Sequence, residues 1–281
     1  MASLTYALAV LSSITYGAAD FLGGLATKRS SMIAVVVFSQ LSGLILVLVA
    51  LPFLPPSSPS AIDFAWGAAS GLAGGIGVAL LYRGLAIGVM SVVAPVTAVC
   101  AVMIPLAVGV AFGERPTSTA VIGVALAIVA IILVSQSDHV EQGRAATSGV
   151  MLAIGSGIAI GIFLVFLQRT GPSAGLWPLV TARGVSIVLF TIIGMLSREK
   201  LIPERQSMLI VIGGGALDML ANTLYLLAVR QGLLSIVATL TSLYPASTIV
   251  LARIVLGERL RLLLQAGVVC AAAAIVLIVS S

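Results

Sequence analysis

Apolar residues fill this chain in long blocks, and polar residues are confined to short gaps between them. A helix needs about 20 apolar residues to cross the hydrocarbon core of a bilayer. On that measure the blocks predict ten spans, at roughly 4–26, 31–51, 64–87, 91–112, 117–136, 147–168, 174–196, 208–230, 235–256 and 261–280. The first carries Asp20, lacks a basic start and is too long for the apolar core of a signal peptide, so it is expected to stay as a helix.

The gaps hold no room for a soluble domain, which excludes an extramembranous catalytic module. Pro52, Pro55, Pro56 and Pro59 break the chain between spans two and three. SDHVEQGRAAT, between spans five and six, is the most polar connection. It predicts a first five-helix unit over 1–137, a linker over 138–146 and a second unit over 147–281.

The units share a pattern. SVVAPVTAVCAVMIPLAVGVAFGER, Ser91 to Arg115, returns 144 residues later as SIVATLTSLYPASTIVLARIVLGER, Ser235 to Arg259. Gly88, Ser91, Val93, Ala94, Thr97, Gly113, Glu114 and Arg115 recur as Gly232, Ser235, Val237, Ala238, Thr241, Gly257, Glu258 and Arg259. Gly17 and Gly123 map onto Gly161 and Gly267 by the same shift, so the register holds at both ends. Five helices is an odd number, so the second unit must start on the opposite side of the membrane. Many secondary transporters use such inverted repeats to alternate access around a central site. The predicted fold is therefore an all-α integral membrane protein, ten transmembrane helices in two inverted five-helix repeats. The bland alternative is a duplication retained only for packing.

Composition agrees: 60 % of residues are hydrophobic and 8 % charged, where a soluble domain carries about 25 % charged residues. The net charge of +5 does not imply a nucleic-acid partner, because no basic cluster is longer than Lys28-Arg29. The positive charges orient the chain instead. Loops 1–2, 3–4, 5–6, 7–8 and 9–10 share a side with nine of them: Lys28, Arg29, Arg83, Arg144, Arg198, Lys200, Arg205, Arg259 and Arg261. The other side has Arg115, Arg169 and Arg230. The rule that cytoplasmic loops are positive puts the first side in the cytoplasm and both termini outside. Trp66 and Trp177 then sit near the outer interface. Cys100 and Cys270 lie in apolar runs and His139 in the polar linker, so no disulfide, metal site or cofactor is expected. The expected partners are the bilayer and a small-molecule substrate, with the chain acting as a monomer.

An ionisable residue inside a span costs about 2.5–3.5 kcal/mol on insertion scales, so it normally has a partner or a task. Asp20, Arg183, Asp218 and Arg253 are in that position. Arg183 and Asp218 fall near the midplane and can pair; Asp20 and Arg253 form a second set nearer the cytoplasmic end, at the level of Arg83. Structural ion pairs would account for both sets. Alternatively, burial and an adjacent arginine act on a carboxylate in opposite senses, so opening the site to water could move a proton at Asp218. Asn222 and Tyr225 share a helix face with Asp218. Span nine adds Thr241, Tyr244 and Pro245, whose missing N–H frees a carbonyl one turn earlier. The first unit offers Ser12, Tyr16, Tyr82, Thr97, Pro95 and Pro105. Taken singly these suit helix–helix hydrogen bonding; as a set they predict a mid-membrane pocket. Glycines 67, 71, 74, 75 and 77 in span three allow close packing, or leave room for a cavity. Glu114 and Glu258, in the Gly-Glu-Arg turns, read as structural acids in a membrane-surface ion pair.

Asn222-Thr223-Leu224-Tyr225-Leu226-Leu227-Ala228, Gly232, the run from Ser235 to Pro245 and Leu256-Gly257-Glu258-Arg259 together resemble the EamA domain of the drug/metabolite transporter superfamily. The likeness covers the chain as two such domains and, within the family, is greatest to YddG-type amino-acid exporters. The first copy departs from the pattern with Ala101 where the second has Pro245, so its kink is expected elsewhere. The resemblance implies a secondary transporter exporting small metabolites from a bacterial inner membrane. Tyr16, Tyr82, Thr97, Trp177, Arg183, Asp218, Asn222, Tyr225, Thr241 and Tyr244 are the candidate substrate contacts. Asp20, Pro95, Pro105, Pro245 and Arg253 are candidates for structure or gating. On this reading Arg183 meets an amino acid's carboxylate and Asp218 its amine. Multidrug or cation efflux would instead want an acidic cavity with Arg183 turned away. A passive pore would conduct without saturation, and an intramembrane enzyme would need a nucleophile–base pair that the spans do not offer.

Overall fold

The computed structural model describes residues 2–88, 90–135 and 144–256, with the pairs 266–267, 269–270, 273–274 and 276–277 beyond them. All regular structure among them is helical. The helices are α1 (Ala2–Thr27), α2 (Met32–Ala50), α3 (Ala61–Ile87), α4 (Met90–Ala111), α5 (Ser118–Ser135), α6 (Arg144–Gln168), α7 (Trp177–Leu196), α8 (Met208–Val229), α9 (Leu234–Thr241) and α10 (Pro245–Leu256). α1 to α3 and α6 to α8, the first three helices of each unit, are long and apolar enough to cross a membrane. α4 and α5 contribute the shorter apolar stretches Val96–Ala111 and Ser118–Ala130. The expected tenth span, His139 and the Gly257-Glu258-Arg259 turn lie outside the described residues, apart from the helical pairs within 261–280.

Span nine differs from its expectation. It is two helices, α9 and α10, separated by a turn at Ser242–Tyr244. Pro245 has no N–H to offer the Thr241 carbonyl, and the Tyr244 N–H takes that carbonyl at 3.3 Å instead. The Ala246 N–H reaches only back to the Leu243 carbonyl, at 3.1 Å. These three-residue bonds tighten the backbone and end the helix. α4, the equivalent in the first unit, runs unbroken through Pro95 and Pro105, so the kink expected there is not a break.

The units interlock. α1 packs on α8 as α6 packs on α3; α2 packs on α8 as α7 packs on α3; α4 packs on α6 as α9 and α10 pack on α1. Each contact becomes its partner under the shift of 144 residues. The hydrogen bonds obey the same shift: Ser12 Oγ donates to the Ala221 carbonyl at 2.8 Å, and Ser156 Oγ to the Gly77 carbonyl at 2.7 Å.

Connections meet on two faces. On one, Asp63 closes a capping box with Ser60 at the start of α3 and accepts the Gly171 N–H at 2.6 Å. The Arg169 guanidinium lies 4.2 Å from the centre of the Phe112 ring, and Arg230 donates to the Gly175 carbonyl at 2.8 Å. On the other, Ser31 donates to Glu199, and Ser30 Oγ accepts the Glu204 N–H at 3.0 Å. Both groups join only loops that alternate crossings would place on one side.

Glu114 has a task the sequence did not show. Gly113, at φ 89°, ends α4 in a left-handed turn whose Glu114 N–H bonds the Gly109 carbonyl at 3.0 Å. The turn swings the Glu114 carboxylate across to the second unit, where it accepts the N–H groups of Leu234 at 2.6 Å and Ser235 at 2.9 Å. It caps α9 instead of pairing with Arg115, because unsatisfied N–H groups and the positive helix end favour an anion there. Glu114→Ala is expected to cost about 0.5–2 kcal/mol, read as a lower thermal midpoint in detergent.

Candidate functional site

Between the units lies a cavity of about 710 Å³ of empty space, its mouth included. α1, α2, α3, α6, α7, α8 and the α9–α10 break all contribute to it. Val78, Leu81, Ile160, Phe163, Leu164 and Leu179 give it apolar walls; Gly71, Gly74 and Gly75 line it too, but a Cβ at each would meet the Ala182 backbone, the Phe163 ring or Ser186 Oγ, so they serve close packing. Gln40, Arg183 and Asp218 stand about 12, 9 and 15 Å from the first residues of α2, α7 and α8, at 1.5 Å rise per residue. The polar groups are therefore near mid-membrane.

The central contact is an ion pair. Arg183 Nη2 donates to Asp218 Oδ2 at 2.5 Å, and Nη1 donates to Gln40 Oε1. All three residues are buried. From Asp218 the network continues along α8: Asn222 Nδ2 donates to the Asp218 carbonyl at 2.6 Å, and Tyr16 Oη donates to Asn222 Oδ1 at 2.8 Å. α1, α2, α7 and α8, two helices from each unit, are thus tied by side chains at one depth. Two charges in low dielectric hold together best when further hydrogen bonds support them, and the Gln40 side chain takes up one more of the Arg183 N–H groups.

Asp20 is different. It is 6 % exposed and lines the cavity, with no hydrogen bond or ion pair to a described side chain. The Arg253 side chain, its expected partner, lies outside the described residues. At the helix break, Thr241 Oγ1 and Tyr244 Oη are buried without a hydrogen-bond partner.

Of the ten candidate contacts, the cavity brings together Tyr16, Arg183, Asp218, Asn222, Thr241 and Tyr244. The other four are elsewhere. Tyr82 is buried with its ring in the notch left by Gly23, where a Cβ would lie 2.1 Å from the ring. Tyr225 spends its hydroxyl on the Leu164 carbonyl at 2.9 Å, and Thr97 on the Ala153 carbonyl at 3.2 Å. Trp177 meets Phe64 edge-on, ring centroids 6.3 Å apart, at the start of α7. Among the structural candidates, Asp20 lines the cavity, Pro105 is buried within α4, and Pro245 opens α10; the Pro95 side chain is outside the described residues. Sequence reasoning missed Gln40, Ser70, Ser186 and Ser242. Gln40 had a signal, an amide beside Ser39 and Ser42 in the middle of a mostly apolar span.

A multi-pass chain, helical in all the regular structure of its described residues, whose two repeats enclose a largely apolar cavity with a few polar groups is built as a membrane transporter. The chain belongs to the EamA-like transporter family, whose pattern matches residues 3–136 and again 147–280. No curated protein sequence matches it. A solved crystal structure, described only as a protein, is similar over 95 % of this chain and 95 % of its own, with TM-score 0.70 and 13 % identity. That likeness speaks for the fold alone.

Proposed function

We propose that the chain is a secondary transporter that exports small amine-bearing metabolites, amino acids first among them, by alternating access through the central cavity. It would do so as a monomer in a bacterial inner membrane, with both termini outside. The observation that carries this reading is the buried Arg183–Asp218–Gln40 contact at the seam of the two repeats, inside a cavity lined by both. The odd number of spans expected in each unit and the loop contacts on two faces support inverted repeats, and the resemblance to YddG-type exporters supports amino acids. Efflux of organic cations is a second reading. It is favoured by Arg183, which is already engaged by Asp218 and Gln40 and so has little left for a substrate carboxylate.

Purified protein in liposomes loaded with labelled tryptophan or threonine is expected to show saturable flux that unlabelled amino acids compete away. Saturable flux of a cationic dye alone would move the substrate class to organic cations. Flux proportional to concentration, without saturation, would replace the transporter by a pore.

A further inference from the structure

We propose that the α9–α10 break and Asp20 together form a subsite for a protonated primary amine. This deepens the transport reading and rests on it only for the use made of the site.

Thr241 and Tyr244 (2 % and 5 % exposed) line the cavity, and their buried hydroxyls have no partner among the described residues. Buried polar groups are nearly always hydrogen-bonded, so two orphans within one turn of the chain need an explanation. The fold can satisfy a threonine at this position: Thr97, the equivalent of Thr241 in the first repeat, donates to the Ala153 carbonyl. In the second repeat the helix breaks just after Thr241, a residue that lines the cavity, and its buried hydroxyl is left without a partner. The orphaning belongs to the break and not to the fold.

α1 is seated directly on that break. A Cβ at Gly17 would lie 2.4 Å from the Tyr244 carbonyl oxygen, and Thr248 Oγ1 donates to the Gly17 carbonyl at 3.0 Å. Asp20 is one turn further along the same face of α1 and lines the same cavity. Among the described lining residues, Asp20 and Asp218 supply two carboxylates against the guanidinium of Arg183. Arg183 is held by Asp218, so Asp20 is the carboxyl group left without a described counter-charge.

A primary ammonium has three N–H donors, and here it finds a carboxylate and two hydroxyl oxygens. Phe163, Leu164 and Leu179 would cover an apolar body. A quaternary ammonium has the charge without the donors. A carboxylate would meet Asp20 with no free described cation.

The test is binding of labelled phenethylamine to the purified full chain in lipid nanodiscs, competed by its N,N,N-trimethyl analogue and by 3-phenylpropionate. Phenethylamine is expected to bind saturably, the quaternary analogue about tenfold more weakly or worse, and phenylpropionate not at all. Asp20→Asn is expected to abolish binding. Thr241→Val and Tyr244→Phe should each weaken it about tenfold without lowering the thermal midpoint, because neither hydroxyl has a partner to lose. A merely structural role would lower the midpoint instead. Absent phenethylamine binding, equal binding of the quaternary analogue, or binding indifferent to all three substitutions would overturn the subsite. Saturable amino-acid flux that those substitutions leave intact would overturn it too, with the transport reading standing. Binding as expected without saturable flux of any amine would uphold the subsite and overturn that reading.

Discussion

Arg183→Met is expected to destabilise the protein by about 3–5 kcal/mol and to abolish transport. The substitution strands the Asp218 carboxylate in a buried position and leaves the Gln40 carbonyl oxygen without its donor. An uncompensated charge at this depth is costly because nothing mobile can solvate it. The partner variant separates stability from function. Arg183→Met with Asp218→Leu removes both charges and is expected to recover most of the stability, since a buried pair replaced by apolar groups of similar volume is often neutral. It should still not transport. Thermal unfolding in detergent gives the first quantity and liposome flux the second. An Arg183→Met protein of wild-type stability would show that the Arg183 contacts to Asp218 and Gln40 do not hold α2, α7 and α8 together.

The second large effect comes from removing space. Gly71 and Gly215 are related by the shift of 144 residues, and each lets a helix backbone approach its neighbour. A Cβ at Gly215 would lie 2.1 Å from the Ser39 carbonyl oxygen, and one at Gly71 2.3 Å from the Ala182 carbonyl oxygen. In neither place is the obstacle a flexible side chain, so the crossings α2–α8 and α3–α7 must part. Gly71→Ala and Gly215→Ala are each expected to cost about 3 kcal/mol, the upper end of ordinary overpacking. Gly184→Ala is the control. Nothing lies within 4 Å of its Cβ position, and replacing a helical glycine there should gain up to about 1 kcal/mol. Thermal midpoints of the three variants decide the matter. Equal midpoints would mean the crossings yield more easily than their backbone contacts imply.

The sequence made the spans legible because lipid demands length: α1 to α8 begin and end within a few residues of the apolar blocks. It made the duplication legible through Gly, Glu and Arg at fixed offsets. Arg183 and Asp218 were visible as charges where charges are expensive, and the structure joins them. Which way each helix faces was harder to read. In water an amphipathic stripe separates core from solvent, but here lipid-facing and core-facing surfaces are both apolar. Tyr82 and Tyr225 therefore look as suitable for a cavity as Tyr16 and Tyr244, and only packing shows that Gly23 and the Leu164 carbonyl absorb them. The break after Thr241 was half visible. Pro245 marked a lost hydrogen bond, but Pro95 and Pro105 mark the same loss in α4, which stays whole. Whether a proline ends a helix depends on what takes up the freed groups, and that is a tertiary property.

The interlocking of the repeats also sets a timetable for their manufacture. α1 leaves the ribosome first, yet its main neighbours are α8, α9 and α10, and Ser12 waits for a carbonyl 209 residues later in the chain. At ~5–20 residues per second, that interval is about 10–40 s. Through it α1 must hold Asp20 in or near lipid without α8, α9 or α10 to pack on it. The early membrane-embedded chain is a waiting intermediate, and its survival until α8 arrives depends on the cell's insertion machinery and proteases as much as on its own contacts.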